Sequence, residues 1–152
     1  MIENVIVREK DSVLDFGSGI GVIGIVIKKI FPQTKVYLTD INERAVKIAR
    51  KNAELNNMNI TAFQGNLYES IPTELKFDAI ISNLPQHAGR KTCFTIIEQS
   101  KNYLKHDGTL QVVARHQKGG KETEKKMLEV FGNAETLAKE SGYKVYFSKN
   151  ND

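Results

Sequence analysis

The chain holds one cysteine, Cys93, and no tryptophan. A lone thiol excludes an internal disulfide and a zinc site built from cysteines. Three histidines, scattered along the sequence, are too few for a metal centre, so no metal is expected. No apolar run approaches the ~18–20 residues of a membrane span. The first nine residues lack the core of a secretory signal, so no membrane association is expected and the expected location is cytoplasmic. Neither sign of charge dominates: 22 basic residues face 18 acidic ones, for a net of +4. That excess is compatible with a nucleic-acid partner and does not by itself point to one. With three prolines, no repeats and no low-complexity stretch, nothing marks a linker, and 152 residues suit one domain.

What the chain does have is alternation. β-rich runs at 13–16, 35–39, 60–64, 77–82 and 109–114 are separated by helical patterns at 22–30, 42–56, 91–104 and 121–131. That order predicts an α/β domain with a mainly parallel sheet. The 22–30 helix is apolar nearly all round and reads as buried between the sheet and its neighbours, closed by Pro32. Asn42 is the expected N-cap of the next helix, with Glu43 in its first turn and Ala45, Ile48, Asn52 and Leu55 as its inward face. The 91–104 helix carries Phe94, Ile97 and Leu104 on one side. His106-Asp107-Gly108 reads as a turn, Gly132 as the stop of the last helix, and 134–138 with 143–148 as a hairpin around Ser141-Gly142.

Asp15-Phe16-Gly17-Ser18-Gly19-Ile20-Gly21 joins the first strand to the first helix. Glycines there allow a tight turn and let the backbone approach a ligand. Gly19, Gly21 and Gly24 form G-x-G-x-x-G, a weak dinucleotide signal on its own. Asp15 changes its meaning, because a carboxylate ahead of the first glycine repels a pyrophosphate at the helix N-terminus. It attracts instead a cofactor with a cationic amino-acid end, such as S-adenosylmethionine. Asp40, at the end of the second strand, is placed to accept hydrogen bonds from ribose hydroxyls, which either cofactor presents.

Through D-F-G-S-G-I-G and Y-L-T-D-I-N the chain resembles the class I S-adenosylmethionine-dependent methyltransferases. The resemblance implies a Rossmann-like fold: a seven-stranded, mainly parallel sheet with an antiparallel last strand and helices on both faces. It also implies that Asp15, Gly17, Ser18, Gly19 and Gly21 line the methionine part of the cofactor and that Asp40 holds its ribose. Ile41 would pack on the adenine, and Asn66 and Leu67 would close the adenine end, Asn66 standing where the family usually has Asp. An amide oxygen is an acceptor as well.

Asn83-Leu84-Pro85-Gln86-His87 resembles the N-P-P-aromatic motif of methyltransferases acting on exocyclic amino or amide nitrogens. A planar NH2 group delocalises its lone pair and is a poor nucleophile. Two acceptors, the Asn83 side-chain oxygen and the Leu84 carbonyl, can hold its two N–H groups, aim the nitrogen and stabilise positive charge as the bond forms. Leu84 replaces the first proline of the motif, and Pro85 still biases it toward an extended conformation. Gln86 replaces the aromatic that stacks on the target base, an interaction worth about 1–3 kcal/mol. His87 is either a substitute platform or an exposed loop residue.

Along nearly its whole length the chain is similar to the RsmC-like ribosomal RNA guanine-N2 methyltransferases. The shared stretches are V-L-D-F-G-S-G-I-G-V-I-G-I, A-V-K-I-A-R-K-N-A-E-L-N-N, G-N-L-Y-E, N-L-P-Q-H-A-G-R-K, L-K-H-D-G-T-L, R-H-Q-K-G-G-K and V-F-G-N-A-E-T. The likeness implies N-methylation of an exocyclic amine, guanine N2 in ribosomal or transfer RNA, with an RNA partner. Asn83, Leu84 and Pro85 would be catalytic, and Gln86, His87, Arg90, Lys91, Arg115 and Lys118 would meet the substrate. Such proteins usually carry a few dozen residues before the first strand, so residues 1–152 are expected to be a single methyltransferase domain lacking most of that extension. A protein-glutamine methyltransferase, a non-catalytic cofactor-binding scaffold and a nicotinamide dehydrogenase are the rival readings. Cys93, with no histidine at a recognisable spacing, reads as a buried thiol, and Tyr68 either packs against the cofactor pocket or closes the core.

Overall fold

The computed structural model describes residues 4–84, 89–115, 120–140 and 142–152, with only the backbone of Arg115 and Glu140. The described chain runs β1 (Ser12–Phe16), α1 (Val22–Ile30), β2 (Lys35–Asp40), α2 (Glu43–Leu55), β3 (Ile60–Gln64) and β4 (Phe77–Asn83). It continues through α3 (Gly89–Ser100), β5 (Leu104–Arg115), α4 (Gly120–Phe131), β6 (Glu135–Glu140) and β7 (Tyr143–Lys149). The strands form one sheet in the order β3-β2-β1-β4-β5-β7-β6. β1 to β5 pair in parallel, and β7 is antiparallel to both β5 and β6. The seven strands and the reversed last one agree with the expectation from sequence.

Adjacent residues of a strand point to opposite faces, and here each face has its own core. Val13, Val36, Leu38, Ala79 and Ile81 pack under α1 and α2, against Ile27, Val46 and Ala49. Leu14, Phe16, Ile80, Leu110 and Val112 pack under α3 and α4, against Ile96, Ile97, Met127 and Phe131. Helices therefore cover both faces, and strands buried on both sides read as the near-continuous apolar runs seen in the sequence.

Three local expectations are corrected. α2 buries Val46, Ala49 and Ala53, while Ile48 and Leu55 are 41% and 72% exposed. The period is as read, but the face is displaced by one residue. Small side chains win because α2 comes close to the glycine loop: a Cβ on Gly21 would lie 3.3 Å from the Cβ of Ala49. Ile48 on that face would hold the helix off.

α1 is not enclosed. Of its residues only Gly24 and Ile27 are fully buried, and Val22 and Ile30 are more than half exposed. α3 ends at Ser100, a 3-10 turn over Lys101–Tyr103 follows, and Leu104 already pairs with Phe77. His106-Asp107-Gly108 is thus an irregularity inside β5, where the register passes from Phe77↔Leu104 to Ala79↔Thr109. Asp107 is left-handed at φ 65, and a Cβ on Gly108 would stand 2.9 Å from the carbonyl oxygens of both Lys105 and Phe77. The turn residues make a bulge within β5 rather than a strand end.

Candidate active site

The parallel strands β1, β2 and β4 end side by side, with Phe16 level with Thr39 on one side and Ser82 on the other. The chain leaves β1 through left-handed glycines, Gly17 at φ 72, Gly19 at φ 56 and Gly21 at φ 90. The loop is fastened to β2 by its own backbone. Gly17 N and Ser18 N both donate to Thr39 O, at 2.9 and 3.0 Å, and Gly21 N donates to Ser18 O at 2.9 Å.

Asp40 completes the loop. Its Oδ2 accepts from Gly19 N at 2.8 Å and its Oδ1 from Asn42 N at 2.9 Å. Asn42 caps α2, its side chain accepting from Ala45 N at 3.1 Å. One carboxylate therefore ties the glycine loop to the start of α2. Each of its oxygens keeps a lone pair for a further donor.

Asp15 sits elsewhere. It is buried beneath the loop, on the α1 face, with Oδ2 accepting from Gly24 N at 3.1 Å. Desolvation raises its pKa to about 7, Gly24 N–H pulls the other way, and the neighbouring Asp40 adds a further upward push. Gly24 is where α1 meets β2, since a Cβ there would stand 2.4 Å from Leu38 Cδ2. Asp15 thus clamps the first helix onto the sheet and does not line the cavity above it.

That cavity, of about 380 Å³, opens at the strand ends. Gly17, Asp40, Ile41, Asn66 and Leu67, all singled out in the sequence, line it. Ile41 is 63% exposed. Leu67 is held left-handed at φ 53, a conformation that is costly for a side chain with a Cβ. It sits inside a turn in which Asn66 N donates to Glu69 Oε1 at 3.0 Å. Phe16, Thr39, Gly65, Thr92 and Ile96 complete the lining. Nothing in the sequence marked the floor and the α3 wall as site residues; the i, i+4 spacing of Thr92 and Ile96 was the available signal. The buried hydroxyls of Thr39, Ser18 and Ser82 have no hydrogen-bond partner among the described residues.

On the other side of the loop β4 ends at Asn83, which is exposed, and is followed by Leu84, which is buried. A Cβ on Gly17 would lie 3.9 Å from Asn83 O, so the glycine loop and the Asn-Leu segment are direct neighbours. Pro85, Gln86, His87 and Lys118 lie outside the described residues, as does the Arg115 side chain. Arg90 Nη2 is 2.6 Å from Glu122 Oε1, joining the first turns of α3 and α4. Lys91 is exposed. Tyr68 closes the core: it is buried, its hydroxyl donates to Ile96 O at 3.0 Å, and its ring stacks on Tyr103 with centroids 4.9 Å apart. Burial pushes the Cys93 thiol up, away from a nucleophile's range.

The family model described as Methyltransferase small domain matches residues 1–147. The chain belongs to this family. The resemblance read from D-F-G-S-G-I-G, Y-L-T-D-I-N and the motifs after them is thereby borne out. Among related sequences, YbxB of Bacillus subtilis (strain 168) is 32% identical over 138 residues, covering 90% of this chain and 69% of that protein. Ribosomal RNA small subunit methyltransferase C of Haemophilus influenzae (strain PittGG) is 36% identical over 145 residues, covering 93% of this chain and 42% of the relative. The chain thus spans less than half the length of the Haemophilus relative. Among solved structures, the Thermus thermophilus 16S rRNA N2 G1207 methyltransferase RsmC, in complex with AdoMet and guanosine, superposes with a TM-score of 0.83 at 24% identity. It covers 93% of this chain and 38% of that one. A methyltransferase from Pyrococcus furiosus gives a TM-score of 0.84 at 19% identity, over 99% of this chain and 79% of its own. Among the described residues no helix is long and apolar enough to cross a membrane.

Proposed function

We propose that the chain is an S-adenosylmethionine-dependent N-methyltransferase acting on an exocyclic amine, guanine N2 of ribosomal RNA. The observation that carries this reading is the juxtaposition at Gly17. Its loop borders a small-molecule cavity on one side and packs on the backbone of Asn83 on the other. A donor seated by the first would meet an acceptor held by the second.

The residues fit the donor. About 380 Å³ lies within the usual span of small-molecule sites. Asp40 retains acceptor capacity for two ribose hydroxyls. Ile41 and Leu67 offer apolar surface for an adenine, and Asn66 offers an acceptor for its amino group. The unpartnered hydroxyls of Ser18 and Thr39 are what a site awaiting a polar ligand leaves behind. Bound there, S-adenosylmethionine supplies an electrophilic methyl group on a sulfonium.

The chain's own part is positioning. The Asn83 carboxamide oxygen and the Leu84 carbonyl accept the two N–H groups of the planar amine and present its nitrogen to the methyl. As positive charge grows on nitrogen, both acceptors bind more tightly, so they stabilise the transition state over the ground state. Proton loss from the methylated, acidified nitrogen needs no strong base. Cys93 and Tyr68, both with raised pKa values, are left out of the chemistry.

The test is transfer of radiolabelled methyl to small-subunit ribosomal RNA lacking its own modifications, followed by nucleoside mapping. Label in N2-methylguanosine is expected. Label at another nucleoside, or only in protein, overturns the assignment of the acceptor.

A further inference from the structure

α2 does more on its outer side than its inner side requires. Val46, Ala49 and Ala53 face the sheet. On the opposite side Arg44, Lys47 and Lys51, at i, i+3 and i+7, form one exposed basic stripe. Arg44 and Lys51 have no ion-pair partner among the described residues. Lys47 has only Glu43, at 3.6 Å with both side chains more than 70% exposed, a pairing that water screens. Glu43 and Glu54 are the helix's two acids, one at each end. The fourth cation, Arg50, is occupied differently: its guanidinium donates to Ala62 O at 2.7 Å and fastens α2 to β3.

The stripe begins at the rim of the cavity. Ile41, part of the lining, lies three residues before Arg44, and across the opening Lys91 adjoins Thr92 of the opposite wall. Cations therefore bracket the opening from α2 and from α3. From Arg44 to Lys51 the stripe is about 10 Å long, enough, with the reach of its long side chains, to run beside roughly two to three successive phosphates of one strand.

We infer that the outer face of α2 is a phosphate-tracking surface, along which the RNA backbone flanking the target nucleotide lies while it covers the cavity. This rests on the reading of the substrate as RNA and adds where the polyanion runs. Phosphate contacts of this kind fix register and orientation and carry no sequence information. The stripe thus supplies affinity, leaving discrimination to the residues after β4.

The experiment compares the full chain with two charge-matched variants. One carries Arg44→Gln, Lys47→Gln and Lys51→Gln. The other carries Lys10→Gln, Lys29→Gln and Lys35→Gln, three exposed lysines near the opposite ends of the strands. Binding of unmodified small-subunit ribosomal RNA transcript is measured over a salt series, with S-adenosylmethionine affinity and melting temperature alongside. The α2 variant is expected to lose about tenfold in RNA affinity or more at 0.15 M salt. The slope of log K against log salt should flatten by about 2–3, with cofactor affinity and melting unchanged and the control variant near wild type. Equal losses in both variants, or none in the α2 variant, overturn the inference. Methyl transfer by wild type to the same RNA is scored in parallel. Transfer with no α2 effect removes this inference alone, whereas α2-dependent binding with no transfer removes the catalytic reading alone. Absence of any RNA affinity in wild type removes both.

Discussion

At the ends of β1 and β2 the contacts that shape the site have backbone N–H groups as donors, and a carbonyl or a carboxylate as acceptor. Gly17 and Ser18 donate to Thr39 O, Gly19 and Asn42 donate to Asp40, and Gly24 donates to Asp15. At the ends of β4 and β5 the described side-chain contact is the Arg90–Glu122 pair, which joins the first turns of α3 and α4, and Asn83 is exposed. The first arrangement tolerates only residues whose dihedrals or carboxylates close the loop. Under the proposed mechanism the second leaves identities free to vary so long as an acceptor remains at Asn83 and a carbonyl at Leu84, so that the donor is held by fixed geometry and the acceptor by exchangeable groups.

The sharpest way to break this division is Asn83→Ala. Turnover on RNA is expected to fall about 10²–10³-fold, as when one charge-stabilising group is removed from an active site, while titration calorimetry finds S-adenosylmethionine binding unchanged. Parallel losses in both would merge the two halves into one. Next comes Gly21→Ala. It forces a side chain to φ 90 and puts a Cβ 3.1 Å from Leu38 Cδ1 and 3.3 Å from Ala49 Cβ. A loss of about 2–3 kcal/mol in denaturant unfolding is expected. Gly19→Ala, at φ 56 with nothing within 4 Å of its Cβ, should cost nearer ~1 kcal/mol. Equal costs would mean that packing on α2 adds nothing.

Asp15→Asn gives a smaller effect with a defined pH signature. Burial holds the carboxyl near 7 in the folded chain, against about 3.9 unfolded. The stability contributed by its neutral form is fully present below about pH 4 and is lost as pH rises through about 7. The Asn variant should therefore melt higher than wild type at pH 8, on the order of 5 °C, with the gap closing toward pH 4. A constant gap would deny the burial effect. The smallest effect is expected of the Arg90–Glu122 pair: its side chains are 66% and 46% exposed, so a double-mutant cycle should return less than ~1 kcal/mol of coupling.

The contrast between the halves also governs what could be read from the sequence. Gly17 and Asp40 are legible from the residues alone, because a left-handed turn and a strand-end carboxylate leave little chemical choice, whereas Ile41, Asn66 and Leu67 come from the family resemblance. Thr39, Thr92 and Ile96 are not legible, since an ordinary threonine or isoleucine becomes a wall only once β2 and α3 are placed. Asp15 was singled out for its charge, yet the structure places that charge under α1, a matter of which strand face residue 15 occupies. The error on α2 has a similar origin: two stripes of the same period compete, and the larger Ile48 and Leu55 outweigh Val46 and the alanines on any hydrophobicity scale. Size decided it, through the close approach to Gly21. The mainly parallel sheet is legible because helices follow β1, β2, β4 and β5, whereas the bulge at Asp107 and Gly108 depends on how β5 meets Phe77.

β7 is translated after β6 yet lies inside it, between β6 and β5. During synthesis the 135–140 segment therefore waits without a neighbour until 143–149 has emerged, and the rim of the sheet forms in one late event. A nascent chain stalled between those two points presents the unpaired side of β5, a template for mispairing with other chains, so closing the sheet edge also protects the protein from aggregation.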